Sequence, residues 1–251
     1  MPDANKITAY LDRYLKTATI ADWGHALNGL QVGNEGEVTK IGAAVDACEF
    51  SINAAVERGI DFLIVHHGLF WGGAKPLVGG QYRKIKAAFD HNIAIYSAHL
   101  PLDVHPVEGN NALLCKALGF KKKEPFFFEK GQFIGFKTSL SMDRDALVQR
   151  LESVLGSPVK LCPGGPQKTA RIGVVTGGAG REVQRAVDEG VDTFITGEGP
   201  HDSYLNAEEL GVNLIYGGHY ATETFGVKAM AAHLSRRFKL PWEFIDHPTG
   251  L

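Results

Sequence analysis

A chain of 251 residues with 44% hydrophobic and 22% charged residues can bury a core without disulfide staples, and its 30 glycines mark a turn-rich globular protein rather than a fibre or a disordered tail. Lys and Arg number 26 against 28 Asp and Glu, so no global basic field drives nucleic-acid or membrane binding. Cys48, Cys115 and Cys162 form no C-x-x-C pair, and no apolar run approaches the roughly 18 residues of a membrane span, which fits a protein of the reducing cytoplasm with no membrane partner.

Apolar residues recur at helical spacing over residues 7–15, which predicts a first helix, and Asn28-Gly29-Leu30-Gln31-Val32-Gly33 reads as a loop. Apolar, β-rich runs at 41–45, 62–65, 93–96, 172–176, 193–196 and 214–216 then alternate with helical stretches near 50–58, 81–90, 109–118, 181–189 and 221–234. Such alternation predicts α/β layers. Between the two groups, Phe126-Phe127-Phe128-Glu129-Lys130-Gly131-Gln132-Phe133-Ile134 sets two apolar runs about a turn, a hairpin signal. We expect two half-domains, 1–124 and 125–251, with a site in the cleft between them.

The halves resemble each other. Laying Ile41 over Ile172 aligns 28 positions without a gap and matches eight, among them Gly42/Gly173, Gly59/Gly190, Asp61/Asp192 and Gly68/Gly199. A second echo sets Ile95-Tyr96-Ser97-Ala98-His99 against Ile215-Tyr216-Gly217-Gly218-His219. Independent βαβ units converge on similar patterns. Internal duplication is nevertheless the preferred account, giving two similar βαβ-type halves with mixed sheets flanked by helices. In each half the residues after the strands project from the carboxyl edge of a sheet, where α/β ligands bind.

Polar residues gather at those edges. His66-His67-Gly68 closes one apolar run, His99 and Asp103 follow the next, and His219 and Glu223 share a helix face four residues apart. Alone, a histidine after a strand is more often a hydrogen-bonded structural group than a ligand, and a helical His-x-x-x-Glu pair is more often a surface ion pair. Together, four imidazoles and two carboxylates exceed the needs of one tetrahedral ion and suit two divalent ions, Zn, Fe or Mn. The glycine loop at Gly177 and Gly178 reads as a tight turn or as an anion-holding cradle. The segment Thr196-Gly197-Glu198-Gly199-Pro200-His201-Asp202 occupies the repeat position of His66-His67, which makes Glu198 and His201 pocket candidates outside the direct metal ligands. Lys121-Lys122-Lys123 ahead of the three phenylalanines reads as a solvated turn leading into a strand rather than a strand-binding platform.

The ordered set Asn28–Gly33, His66-His67-Gly68, His99 with Asp103, and Gly218-His219-Tyr220-Ala221-Thr222-Glu223 resembles the dinuclear-metal hexameric family labelled GTP cyclohydrolase I type 2 homologs, the Ngg-interacting-factor-like proteins, in its short form without an inserted domain. The resemblance implies a duplicated α/β fold and two divalent ions held by His66, His67, Asp103, His219 and Glu223, with Asp103 and Glu223 bridging or capping both. His99 would stand close by, either supporting a ligand or facing the substrate. The resemblance also implies a toroidal homohexamer built as a trimer of dimers. The function expected is metal-dependent hydrolysis of a nucleotide-like, phosphoester or cyclic amide substrate, with His99 or Glu198 moving the proton and Gly177, Gly178 and His201 touching substrate. The alternatives are a non-catalytic metal-binding ring serving partner or nucleic-acid interaction, and a cluster that merely pins the two halves together.

Overall fold

In the computed structural model, which describes residues 1–251, the chain runs α1 (Ala4–Leu15), β1 (Gly29–Val32), β2 (Ile41–Asp46), α2 (Glu49–Glu57), β3 (Phe62–His67), α3 (Gly79–Asp90), β4 (Ala94–Ser97), α4 (Leu100–Asp103), α5 (Asn110–Ala117), β5 (Glu124–Glu129) and β6 (Gln132–Asp143). It continues through α6 (Arg144–Leu155), β7 (Lys160–Pro163), β8 (Lys168–Val174), a 3-10 turn (Ala179–Glu182), α7 (Val183–Asp188), β9 (Thr193–Thr196), α8 (Asp202–Glu209), β10 (Asn213–Tyr216), α9 (His219–Phe238) and β11 (Trp242–Phe244). No helix is long and apolar enough to cross a membrane.

The chain divides into one unit of Met1–Leu102 with Gly226–His247 and another of Asp103–Phe225 with Pro248–Leu251. This corrects the expected break at 124/125. Helix α5 sends Leu114 and Cys115 into one core with Ile172, Val174 and Ile195 of the second sheet, and β11 pairs in parallel with β2. Both contacts are long-range, which the local pattern at the hairpin does not encode.

In the first unit the sheet order is β1-β4-β3-β2-β11, with β2, β3 and β4 parallel. Every residue of β3 and β4 is buried, so these strands open as continuous apolar runs, Phe62–Val65 and Ala94–Tyr96, rather than alternating ones. Helix α1 is capped by the Asp3 carboxylate, which accepts from the Lys6 amide at 2.7 Å, and it buries Ile7, Leu11 and Leu15 on one face. The segment read as a loop holds an edge strand: β1 pairs antiparallel with β4, Gly29 opposite Ser97. Four residues including a glycine and a glutamine carry too little β signal to show this in sequence.

In the second unit the order is β5-β6-β8-β9-β10-β7, with β8, β9 and β10 parallel. The hairpin is present: Glu129 pairs with Gln132, and Lys130 and Gly131 between them have φ of 49° and 81°, as a two-residue turn with both centres left-handed requires. Elements α6, α8, β7 and β11 had no counterpart in the sequence reading. Helix α8 buries only Ser203 and Ala207, too small a stripe to register as amphipathic.

The repeat is visible in each unit's own bonding. Ile41 pairs with Phe62 and Ile172 with Thr193, the same register at the same offset. The Asp61 carboxylate accepts from the amides of Thr39 at 2.8 Å and Lys40 at 3.0 Å, and Asp192 accepts from those of Ala170 and Arg171, both at 2.8 Å. Gly59 and Gly190, with φ of 62° and 85°, turn the chain into β3 and β9. The second echo is corrected by one residue. Tyr96 stands beside Ile64 while Ile215 stands beside Ile195, which sets Tyr96 over Ile215 and His99 over Gly218 rather than over His219.

Candidate metal centre

In the first unit β3 carries His66 and His67 to its carboxyl end, and the chain after β4 supplies His99; all three are buried. Their ring centroids lie 4.8 Å (His66 and His67), 4.9 Å (His66 and His99) and 5.7 Å (His67 and His99) apart. One nitrogen from each ring falls within 4.8 Å of the other two. Each Nδ1 is tethered at 2.9 Å: His66 to the Ala98 carbonyl, His67 to Asp46, His99 to Asp22. Against such acceptors Nδ1 carries the proton, so in the neutral ring Nε2 holds the lone pair. This tether is the one that histidine ligands of metal ions make with their other nitrogen.

The Asn28–Gly33 motif now has a physical role. Asp22 accepts from the Leu100 amide at 2.9 Å, the Asn28 side chain at 2.7 Å and the Trp23 amide at 2.7 Å. Asn28 in turn accepts from the His99 amide at 2.7 Å, fixing the His99 loop at backbone and ring together. Burial works to raise the Asp22 pKa, but the bonds from His99, Asn28 and Trp23 outweigh it and hold the carboxyl below its usual range. Gln31 accepts from the Leu69 amide at 2.7 Å, and a Cβ on Gly68 would lie 2.2 Å from that glutamine, so a side chain there would displace the amide that brackets the turn after His67. Sequence reasoning missed Asp22 and Asp46. The signal for Asp46 was available, since it ends β2 directly opposite His67.

In the second unit the first turn of α9 presents His219 and Glu223 on one face, with His219 Nε2 3.1 Å from Glu223 Oε2. Its Nδ1 bonds Glu198 at 2.8 Å. Glu198, a candidate proton carrier in sequence, is thus engaged as the carboxylate that orients His219. Burial works to lower the His219 pKa, yet Glu223 and Glu198 on its two nitrogens carry it up to about 9. Asp103 is buried and accepts from the Asn110 side chain at 2.8 Å and the Thr176 hydroxyl at 3.4 Å.

The glycine loop serves this arrangement. Gly177 has φ of 74°, and a Cβ there would lie 2.4 Å from Glu223 Oε1. The amides of Gly177, Ala179 and Gly180 go to Thr222 Oγ1, Thr196 Oγ1 and the Glu198 carbonyl, at 3.2, 3.2 and 3.0 Å. They therefore bind the loop to the base of α9 and to the end of β9 and the residues after it, and these three amides are not free to cradle an anion. Gly178 is exposed, and His201 lies exposed before α8, joined to none of these groups.

The candidate donors are imidazole nitrogens in the first unit and imidazole nitrogen with carboxylate oxygens in the second, every imidazole is tethered through Nδ1, and this chemistry fits a divalent ion of the Zn, Fe or Mn kind.

Comparison with known proteins places residues 2–249 under a family model described as Duf34/NIF3 (NGG1p interacting factor 3). The chain is 36% identical over 249 residues to a Deinococcus radiodurans protein named GTP cyclohydrolase 1 type 2 homolog, covering 98% of this chain and 94% of that one. A Halobacterium salinarum protein of the same name is 40% identical over 255 residues, covering 99% and 100%. The crystal structure of TTHA1606 from Thermus thermophilus matches with a TM-score of 0.92 at 40% identity, covering all of both chains.

Proposed function

We propose, since this chain belongs to the Duf34/NIF3 family, that it holds divalent metal through His66, His67, His99, Asp103, His219 and Glu223 and hydrolyses a small substrate there. The observation that carries the reading is the first unit's trio: three imidazoles whose ring nitrogens lie within 4.8 Å, each tethered at Nδ1. Clustering such groups without a cation to hold costs desolvation and strained packing that an ordinary core avoids. Two ions are proposed, because six nitrogen and oxygen donors exceed one tetrahedral shell. Bound there, divalent ions supply Lewis acidity and lower the pKa of water.

The chain's own residues do the rest. Asp46 and Asp22 fix the rings of His67 and His99, Glu198 fixes that of His219, and Gly177 leaves room for Glu223. His99 shares the tether and cluster of the other two histidines, which supports a ligand rather than a substrate-facing role. Glu198 acts as a positioning group. Nucleotide-like, phosphoester and cyclic amide substrates remain the proposed classes, and a trimer of dimers the proposed assembly.

The test is a turnover panel of nucleotides, phosphodiesters and cyclic amides with protein loaded with Zn, Mn or Fe. Hydrolysis lost on chelation and in His66→Ala is expected. Metal uptake with no turnover by any loaded form refutes the enzyme reading and leaves the non-catalytic ring.

A further inference from the structure

Beside the histidine trio lies a feature the metal chemistry does not use. Trp71 sits with its ring centroid 4.3 Å from that of His99 and 5.1 Å from that of His67, and the ring of His25 approaches it at 4.9 Å with an interplanar angle of 66°. The indole is half-exposed and His25 is exposed. The first unit's apolar core closes without Trp71: in the turn after β3 it is Leu69 and Phe70 that pack into that core. The turn is set by the Trp71 amide donating to the Gly68 carbonyl at 3.3 Å and the Gly73 amide donating to the Phe70 carbonyl at 2.7 Å. Phe70 thus anchors the turn inward while its neighbour is displayed at the edge of the histidine trio. Two glycines follow: nothing stands within 4 Å of a Cβ built on Gly73, while one on Gly72 would meet the Lys75 side chain.

We infer that Trp71, flanked by His25, is the platform on which a planar heteroaromatic ring of the substrate stacks at the edge of the histidine trio. A large aromatic ring left partly in solvent beside candidate ligands is not part of the first unit's apolar core. It offers a π-face of the kind that takes any base-like ring. The imidazole of His25 stands at 66° to the indole, so it borders the platform as a wall against the edge of a stacked ring rather than extending the stacking face. The inference rests on the metal reading only for what lies next to the ring. It assigns Trp71 and His25 to substrate specificity and narrows the proposed classes to those that carry a heteroaromatic ring.

The test uses the full chain, zinc-loaded, with adenosine and guanosine as probes and free ribose as the non-aromatic control, read by saturation-transfer NMR and quenching of tryptophan emission. A nucleoside is expected to bind and ribose not. Trp71→Ala should weaken nucleoside binding about tenfold or more, His25→Ala less, and Trp71→Phe should recover part of the loss. Trp71→Leu keeps apolar bulk without a π-face, and it should lose binding with the fold intact even if the alanine variant unfolds. Zinc uptake by all four variants should match the parent. No nucleoside binding by the parent, or equal binding by Trp71→Ala or Trp71→Leu, overturns the inference. Absence of zinc uptake in the same samples refutes the metal reading instead, and Trp71-dependent nucleoside binding would still uphold the platform.

Discussion

Replacing Asp22 by Asn keeps the side chain's shape and removes its charge at the point where four donors converge. The carboxylate receives the His99 ring at 2.9 Å and the Trp23 amide at 2.7 Å on one oxygen, and the Leu100 amide at 2.9 Å and the Asn28 side chain at 2.7 Å on the other. In Asp22→Asn the amide oxygen can serve one of these pairs, and the NH2 then meets two donors. A hydrogen bond to a charged acceptor contributes about 1.5–3 kcal/mol, so losing two, with partial relief from water, costs about 3 kcal/mol. Because the Asp22 pKa lies below its unfolded value, its stabilisation is present above about pH 4 and is lost as the pH falls through the lower folded value. The variant should therefore be less stable at neutral pH and lose less than the parent on acidification. His99 released from its tether should also weaken zinc binding about 10- to 100-fold. Thermal unfolding at pH 7 and at pH 3, with zinc titration calorimetry, reads all three effects. A melting temperature within a degree of the parent and unchanged zinc affinity would show that the network neither stabilises the unit nor sets the ring.

Gly177→Ala should lower zinc affinity in titration calorimetry more than it lowers melting temperature, because the added methyl collides with Glu223 Oε1 while the loop amides keep their partners; an unchanged affinity would detach Glu223 from the metal. Phe194 is fully buried, with ring centroids 5.8 Å from Phe127 and 6.0 Å from Phe126, and Phe194→Ala should cost about 3–5 kcal/mol in denaturant unfolding. A cost below about 1 kcal/mol would mean the aromatic core of the second unit is not as packed as described. Asp61→Ala and Asp192→Ala should each destabilise by about 1–2 kcal/mol, since each removes an acceptor from two successive amides at equivalent points of the repeat. A loss in one and none in the other would contradict their equivalence.

The parallel strands were legible because full burial on both faces writes a continuous apolar run, as in Phe62–Val65, and the hairpin because Lys130-Gly131 satisfies a specific turn. Residues in which a short polar side chain serves as a bracket were not. Asp22 lies 77 positions from His99, and nothing local marks it as that imidazole's acceptor. The edge strand β1 and the terminal β11 were invisible for a related reason: each is short and takes its identity from the strand it joins. The one-residue slip in the second echo shows the limit of matching residue types. Tyr96-Ser97 and Tyr216-Gly217 look alike in sequence, but the ladder bonds put Ser97 opposite Val65 and Tyr216 opposite Thr196, which fixes the correspondence otherwise.

Zinc-edge X-ray absorption on protein dialysed against zinc and freed of excess tests the metal assignment most directly. Nitrogen and oxygen scatterers at about 2.0–2.1 Å with the outer-shell signature of several imidazoles, lost in a His66→Ala, His67→Ala double variant, is the predicted spectrum. Protein that emerges without bound zinc, or a double variant whose spectrum and zinc content match the parent's, would contradict it.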